Sequence, residues 1–458
     1  MIKETSELKV DDELFLNIKR IGINGEGIGY YKRLAIFVDG ALPKENVKVR
    51  LKEINKKYAI AEIVEIKSEA KERTKNFCEY YTKCGGCSLQ HVNYQAQADI
   101  KRNILMESIS RYSNLNPRSF EVKPTIMMGN PLHYRTKVNL PVRNGIHGAV
   151  VGLYAPNSEK FVRIKDCFIQ NEIINSLMNE ITKVMDKLVV KAYDGKEKKG
   201  YVRYLVIRVS EYSGEAQVTF ILANKLKNIE DLANEVLKID KIKSVYYSIN
   251  DKFDDGSIFG KEIFKVAGID SIIEKIGDYK YKLLPNSFFQ LNPKQAQLLY
   301  DEVKKAAKLS FEEKVIDAFC GVGSIGIYLA KWAKEVVGIE SNKEAVINAK
   351  ENAGLNKIKN IRFIEGNVTN VLPYLVKDNF IPDVMVFDPP RTGMTDEIKE
   401  TVLKAKPKRI VYVSCNPASL AKDLNILKEF YQLKYIQPID MFPFSSHVES
   451  VVLLELKK

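Results

Sequence analysis

Three residues in the last third of the chain can do covalent or acid–base chemistry, and each flanks an apolar, strand-like run. Cys415 ends the run in "VYVSCNP", Asp388 follows "VMVF", and Glu449 precedes the run "SVVLLEL". In open α/β sheets, ligands bind beyond the carboxyl ends of the strands. A cysteine placed there can be a nucleophile, whereas a cysteine that only fills space would lie further back inside its strand. Gln290, in "SFFQLNP" ahead of these runs, is a further polar candidate.

One cysteine, one base and one methyl donor suffice to methylate carbon 5 of uracil. A thiolate that adds to carbon 6 makes carbon 5 enolate-like, and a base must then remove the proton from carbon 5. Cys415 and Glu449 fit the nucleophile and the base. Cytosine methylation in RNA generally uses a second cysteine after an Asp-Pro-Pro segment, and adenine amino methylation uses an aromatic residue there. Arg391 occupies that position and disfavours both.

The segment "VIDAFCGVGSIGIYLA" combines a strand, a glycine turn and a helix start. Gly321, Gly323 and Gly326 fit G-x-G-x-x-G, and Glu340 ends the next apolar run. Alone, this pattern leaves NAD or FAD open. Asp317 precedes the turn, and its carboxylate disfavours a pyrophosphate and suits a cationic ligand such as S-adenosylmethionine.

Four cysteines lie outside this region, and their spacing is typical of a metal centre. Cys78, Cys84 and Cys87 form C-x5-C-x2-C, and Cys167 follows much later in "RIKDCFIQ". Four thiolates suit a structural zinc ion or an iron–sulfur cluster. The spacing alone leaves these two about equally supported. A disulfide framework is not expected in a chain with six cysteines and 458 residues.

The distribution of apolar residues predicts three units. Residues 1–67 contain short alternating runs separated by turns, which indicates a small β-barrel. Residues 68–285 mix strand-like and helical runs, which indicates an α+β domain, although residues 90–120 look helical and could pack on the last unit instead. Residues 286–458 alternate strand-like runs with helical periods, as in a parallel, doubly wound sheet, and the last two runs could form a hairpin at its edge.

The charge balance favours a polyanionic partner. Lys and Arg total 71 against 58 Asp and Glu, a net charge of +13. The sequence contains no run of eighteen apolar residues, and its first residues lack the apolar core of a signal peptide. We therefore expect a cytoplasmic protein that binds nucleic acid and no membrane. Nothing in the sequence requires a protein partner.

Taken together, these motifs resemble one family over essentially the whole chain. The segments "SFFQLNP", "DAFCGVGSIG", "FDPPR", "VSCNP" and "HVESV" occur in the order found in the RNA uracil-5-methyltransferases. The resemblance is strongest to members that act on 23S ribosomal RNA and carry an N-terminal TRAM domain. It implies a Rossmann-like class I methyltransferase domain, an OB-like TRAM barrel that binds RNA, and a central α+β domain that holds a [4Fe-4S] cluster.

The resemblance also implies roles for individual residues. Cys415 is similar to the family's nucleophile and Glu449 to its general base, while Cys78, Cys84, Cys87 and Cys167 match the cluster ligands. The positions expected to bind the cofactor are Gln290, Asp317, Phe319, Gly321, Gly323, Ser324, Glu340, Asn367 and Asp388. Two of these depart from the family: Asn367 stands where many methyltransferases carry an acid, and Ser324 where relatives often carry Asn.

The implied function is S-adenosylmethionine-dependent methylation of a uridine in 23S ribosomal RNA. A transfer RNA substrate is the alternative within the same chemistry. An RNA-binding iron–sulfur redox protein that uses the glycine loop for NAD is the alternative from a different class of protein.

Overall fold

The computed structural model describes residues 8–156, 158–252 and 256–458. They form three sheets of six, seven and eight strands and one separate two-stranded hairpin. Within these residues, no helix has the length and apolar character needed to cross a membrane.

The N-terminal unit is a six-stranded sheet whose strands alternate buried and exposed side chains. Its strands pair in the order β1-β5-β6-β4-β3-β2, and β1 also packs near β3, so the sheet curls toward a barrel around Leu16, Ile36, Val47 and Val49. The strands are β1 (Glu13–Asn17), β2 (Arg20–Ile21), β3 (Gly27–Tyr31), β4 (Leu34–Val38), β5 (Asn46–Ile54) and β6 (Tyr58–Ser68).

The next two elements join the C-terminal unit instead of the central one. Helix α1 (Tyr94–Tyr112) packs against a helix of the C-terminal unit, and β7 (Glu121–Val122) becomes the edge strand of its large sheet. The helix begins at Asn93, whose side chain caps it by accepting the Gln95 amide. Residues 94–122 thus precede the central unit in the sequence but pack on the C-terminal unit.

The central unit is a mixed seven-stranded sheet with order β10-β9-β8-β11-β12-β13-β14, and two amphipathic helices pack on it. Its core contains Leu140, Ile181, Phe220 and Val245. The elements are β8 (Lys137–Gly145), β9 (Gly148–Tyr154), β10 (Phe161–Arg163), α2 (Glu172–Lys187), β11 (Val202–Val209), β12 (Ala216–Leu222), α3 (Ile229–Leu237), β13 (Ile242–Ile249) and β14 (Ile263–Gly268).

A hairpin links the central and C-terminal units. Its strands are β15 (Ile272–Ile276) and β16 (Tyr279–Leu283). The side chains of Ile272, Ile276 and Tyr281 lie in the same core as the first helix and strands of the C-terminal unit. The boundary predicted at residue 285 assigned this hairpin to the central unit. Its side chains pack in the core of the C-terminal unit, so the hairpin belongs to that unit instead.

The C-terminal unit is an eight-stranded, doubly wound sheet with order β19-β18-β17-β20-β21-β23-β22-β7. The first five strands of that order are parallel, whereas β22 and β23 form an antiparallel hairpin inserted beside β21. This confirms the parallel sheet and the terminal hairpin predicted from the sequence. The elements are α4 (Pro293–Ala307), β17 (Lys314–Ala318), α5 (Ser324–Ala330), β18 (Glu335–Glu340), α6 (Lys343–Leu355), β19 (Ile361–Glu365), α7 (Val368–Lys377), β20 (Val384–Phe387), α8 (Asp396–Ala405), β21 (Arg409–Ser414), α9 (Pro417–Leu427), β22 (Tyr431–Ile439) and β23 (Glu449–Leu456).

Candidate active site

The sheet brings Cys415, Glu449 and Asp388 to one edge. Strands β21 and β23 are antiparallel, and Ser414 pairs with Ser450, so Cys415 at the end of one strand lies opposite Glu449 at the start of the other. Asp388 follows β20, which is the parallel neighbour of β21. The predicted nucleophile, base and acid thus share one end of the sheet because three adjacent strands end or begin there.

Burial sets the acidity of these three groups. Burial, together with the negative charges of Glu449 and Asp388, raises the pKa of the Cys415 thiol to about 11. Burial together with the charge of Asp388 raises the pKa of Glu449 to about 8, and burial raises that of Asp388 to about 7. Near neutral pH, Glu449 can therefore both hold and release a proton, as a general base must.

Arg391 supplies the positive charge at this edge. It opposes the upward pKa shifts of both Cys415 and Glu449. Its loop is fixed by Asn416, whose Nδ2 donates to the Arg391 carbonyl at 2.8 Å, and by Asp423, which accepts the Met394 amide at 2.9 Å. Sequence analysis used Arg391 only to exclude rival chemistries. The rigid Asp-Pro-Pro-Arg segment beside a cysteine-bearing strand was the signal for a local role.

Asn416 and Pro417 determine how the chain leaves Cys415. Asn416 caps α9 by accepting the Ala418 amide at 3.1 Å, and Pro417 occupies the first turn of the helix. Ser414 donates its hydroxyl to the Asn416 carbonyl at 3.1 Å. The cysteine is therefore held in a short connection between a buried strand and a capped helix, which restricts the direction of its sulfur.

The glycine loop lies at the same sheet edge, between β17 and α5. Gly323 has φ +79°, and a Cβ there would lie 2.7 Å from the Phe363 ring, so only glycine fits without strain. Gly321 has φ +53° and open space where its Cβ would be. Its amide donates to Glu340 Oε2 at 3.1 Å. The loop thus presents bare backbone beside a carboxylate, and a ligand can approach it closely.

Asp317 lies beneath this loop. Its side chain is 1 % exposed, and Oδ2 accepts the Gly326 amide at 2.7 Å. Burial raises its pKa to about 7, with contributions from Asp388 and Glu340. The structure therefore places Asp317 where it anchors the first turn of α5, and the loop backbone lies between it and the open side.

The remaining predicted cofactor positions surround the loop. Phe319 directly follows β17 and has φ +64°. Ser324 accepts the Tyr300 hydroxyl at 2.9 Å. Asn367 is exposed and caps α7 through the Thr369 amide at 2.9 Å, so its side-chain oxygen already has a backbone partner.

Gln290 lies in the segment that enters α4, and this segment is held from both sides. Thr136 of the central unit donates its amide and hydroxyl to the Leu291 carbonyl, at 2.9 and 3.1 Å. On the other side, Asn292 Nδ2 donates to the Met441 carbonyl at 3.1 Å. Gln290 is half-buried, while Phe288, two residues earlier, is 72 % exposed.

The four remaining cysteines come together in the central unit. Cys78, Cys84, Cys87 and Cys167 line one cavity of about 210 Å³. Burial raises the pKa of Cys87 to about 12, and the other three thiols add to this shift. Within the described ranges, no three His, Cys, Asp or Glu side chains converge tightly enough to hold a single metal ion. The four thiols therefore surround an open cavity, and they lie close enough together to raise one another's pKa.

The charges around Cys415 predict opposite effects of two substitutions on its reactivity. At pH 9 a carboxyl with a pKa of about 8 is mostly ionised, so Glu449→Gln removes a negative charge and lowers the pKa of Cys415. Alkylation of Cys415 by iodoacetamide should then be several-fold faster, and Arg391→Met should slow it. Mass spectrometry of the Cys415 peptide over time measures both rates. Exposed Glu400 on α8 provides the control, Glu400→Gln, and rates that change in the same direction in both test variants would contradict this account.

Comparisons with known proteins agree with this geometry. The family model for tRNA (Uracil-5-)-methyltransferase matches residues 93–457, and the TRAM domain matches residues 9–64. An RNA methyltransferase of Bacillus anthracis is 42% identical over 454 residues, covering 99% of this chain and 98% of that protein. A second, from Halalkalibacterium halodurans, is 41% identical over 450 residues, covering 98% and 97%. Both are described as uncharacterized.

A solved structure extends the comparison to the fold. Pyrococcus abyssi tRNA (uracil-54, C5)-methyltransferase, in complex with S-adenosyl-L-homocysteine, has a TM-score of 0.77 and 26% identity, covering 96% of this chain and all of that one. The match favours a methyl donor over a dinucleotide at the glycine loop. The chain belongs to the tRNA (uracil-5-)-methyltransferase family: it is an S-adenosylmethionine-dependent RNA uracil-5-methyltransferase with an N-terminal TRAM domain.

Proposed function

We propose that this protein methylates carbon 5 of a uridine in 23S ribosomal RNA, with Cys415 as nucleophile and Glu449 as general base. The observation that carries the chemistry is the juxtaposition of Cys415 and Glu449 on paired strands. The ribosomal substrate is supported by the resemblance of the sequence to family members that carry an N-terminal TRAM domain and act on 23S ribosomal RNA.

Cys415 begins the reaction by adding its thiolate to carbon 6 of uracil. The carbon 5–carbon 6 double bond becomes an enolate, in which carbon 5 is electron-rich. Arg391 favours the thiolate because its positive charge lowers the pKa of Cys415. Asp388 is partly buried beside Cys415, and its pKa of about 7 lies near neutrality. Asp388 can therefore hold a proton and donate a hydrogen bond to the uracil ring.

Glu449 completes the reaction by removing the proton from carbon 5. The electron pair of that carbon–hydrogen bond re-forms the double bond to carbon 6, and the Cys415 thiolate leaves. The carboxylate form of Glu449 is required, and its pKa of about 8 makes that carboxylate a stronger base than an ordinary glutamate.

The residues around the glycine loop fit S-adenosylmethionine. The open backbone at Gly321 admits a ligand, and the carboxylates of Glu340 and Asp388 suit its hydroxyl and cationic groups. Gln290, Phe319 and the more peripheral Ser324 and Asn367 would complete the binding surface. S-adenosylmethionine supplies an electrophilic methyl group to carbon 5.

The RNA must present its uridine outside the base stack, because Cys415 has to reach carbon 6 of the ring, which a stacked and paired base does not expose. Phe288 is an exposed aromatic side chain next to Gln290 and could stack on that base. The TRAM unit carries lysine and arginine side chains that can contact phosphates. Those on β5, such as Lys48 and Arg50, pair with Glu13 and would exchange this partner for a phosphate.

A transfer RNA uridine is the second candidate substrate. It is favoured by the description of the archaeal structure, whose fold matches nearly all of this chain. Both candidates share the same chemistry, so only the identity of the modified RNA distinguishes them.

We also propose a [4Fe-4S] cluster in the cavity lined by Cys78, Cys84, Cys87 and Cys167. A cavity of about 210 Å³ lined by four thiols has room for a cluster. The Gly86 amide lies 3.4 Å from Cys84 Sγ and can donate to a thiolate there. The cluster would link residues 78–87 covalently to Cys167 and so stabilise the fold of the central unit.

The nucleophile and the base predict different failures. Cys415→Ala should abolish both methylation and the covalent RNA adduct. Glu449→Gln should still form the adduct but slow its decay by at least about 100-fold, since a general base typically contributes that much. Denaturing gels of enzyme with labelled RNA report the adduct, and tritium release from carbon 5 reports turnover. Glu400→Gln is the matched control, and normal turnover by Glu449→Gln would disprove its role.

The substrate is tested in a strain that lacks the gene. We expect 5-methyluridine to disappear from one fragment of 23S ribosomal RNA, while transfer RNA keeps its full content, as measured by mass spectrometry of nuclease fragments. The wild-type gene should restore the modification, and the Cys415→Ala gene should not. If 5-methyluridine disappeared from transfer RNA alone, the substrate would be transfer RNA and not ribosomal RNA.

The cluster predicts the colour and metal content of the purified protein. Protein isolated without oxygen should be brown and contain about four iron and four sulfide per chain. Cys84→Ser should lose the colour, most of the iron and much of the solubility, because one thiolate ligand is missing. Cys415→Ala is the control, since its thiol lies outside the cavity and the iron content should not change. Colourless wild-type protein with bound zinc would exclude the cluster.

A further inference from the structure

The loop that leads into Glu449 is held by a lysine inside the protein. Lys101, on α1, has no exposed side-chain surface, and its Nζ lies 2.5 Å from Asp440 Oδ1. The same ammonium donates to the carbonyls of Phe442 at 3.0 Å and His447 at 2.8 Å. All three acceptors belong to residues 440–448, called here the base loop. The ammonium therefore bridges the loop from its first residue to the residue two before Glu449.

The base loop is also held by two neutral hydrogen-bond partners. Gln97, another buried residue of α1, accepts the Phe444 amide at 3.0 Å. Ser88 accepts the Ser446 amide at 3.0 Å through its hydroxyl. A buried ion pair stabilises a fold little more than neutral residues of similar volume do, because desolvation offsets the attraction. The buried positive charge of Lys101 thus calls for another explanation.

The charges that face Glu449 give that explanation. Asp388 and the Cys415 thiolate are negative and favour protonated Glu449, whereas Arg391 and Lys101 are positive and favour the carboxylate. Arg391 is exposed, so solvent and salt weaken its field. Lys101 is buried, and its field acts through the protein interior with less screening.

The other titratable groups near Lys101 do not cancel its effect. Asp440 pairs with Lys101 and also accepts the Tyr94 hydroxyl through Oδ2 at 2.8 Å. Asp440 offsets part of the field of Lys101, but the pKa of Glu449 responds to Lys101 and not to Asp440. Partial burial lowers the pKa of His447, and the ring is therefore neutral near pH 7.

We propose that Lys101 is a positioning residue for the general base: it holds the base loop and supplies a buried positive charge that favours the carboxylate form of Glu449, which accepts the proton of carbon 5. This rests on the proposed role of Glu449. The proton passes from carbon 5 to the Glu449 carboxylate, and Lys101 keeps its own protons throughout. Its contribution is electrostatic and geometric.

The proposal is tested by the pH dependence of adduct decay in single-turnover reactions of the full-length enzyme. Lys101→Gln keeps a hydrogen-bond donor for the loop carbonyls but removes the charge. It should move the midpoint of adduct decay up by about one pH unit, so that decay at pH 7 is about tenfold slower and recovers above pH 9. Adduct formation should change by less than about twofold, since Lys101 does not act on Cys415 directly.

Two variants distinguish charge from structure. Lys101→Arg keeps the charge and should keep the wild-type midpoint. Lys123→Gln removes one partner of another partly buried ion pair, with Glu302 at 3.3 Å, outside the base loop, and should leave the midpoint unchanged. An unchanged midpoint in Lys101→Gln, or an equal shift in Lys101→Arg, would overturn the proposal.

A measurement on the unaltered protein covers the case in which the glutamine variant does not fold. The charge of Lys101 can be read from the chemical shift of its Cε in labelled protein, and a neutral amine at pH 7 would refute the proposal. Failure of the underlying mechanism is distinguishable, because Glu449→Gln would then release methylated RNA normally at every pH.

Discussion

The ion pair between Lys101 and Asp440 is the contact on which the geometry of the site depends. The two residues are 339 positions apart and both are fully buried. A buried charge without its partner is unfavourable by about 3 to 5 kcal/mol, so α1 and the base loop are stable only when docked on each other in register. That docking also carries β7 onto the edge of the sheet, next to β22.

The base loop is consequently the place where all three units meet. Ser446 donates its hydroxyl to the carbonyl of Ile23, in the turn between β2 and β3 of the TRAM barrel. The amide of Ser88, the residue after Cys87, donates to the carbonyl of Phe444 at 2.9 Å. The position of Glu449 thus responds to the barrel, to the four-cysteine cavity and to α1. The TRAM barrel and the segment next to the four-cysteine cavity are both connected to the base loop by a few hydrogen bonds.

The sequence predicted those features that depend on short segments. An apolar run followed by Cys415 in "VSCNP" indicates a strand end and a helix cap, and the structure has both at that point. The parallel sheet and the glycine loop follow from the same local alternation. The packing of α1 on the C-terminal unit was raised only as an alternative for residues 90–120, and the β15–β16 hairpin in its core and the Lys101–Asp440 pair were not predicted. They depend on contacts between distant segments, which leave no periodic pattern in either segment.

Asp317 and Asp388 illustrate the same difference on one sheet edge. Both were predicted to contact the cofactor because each follows an apolar run, yet the glycine loop covers one and leaves the other partly open. Burial of several acids at this edge raises the pKa values of Cys415, Glu449 and Asp388 together, so they cannot all be ionised at neutral pH. Positive charge that reaches the edge therefore favours the thiolate and the carboxylate at once. Arg391 supplies that charge to both groups from the solvent side, and Lys101 adds to it at Glu449 from the interior.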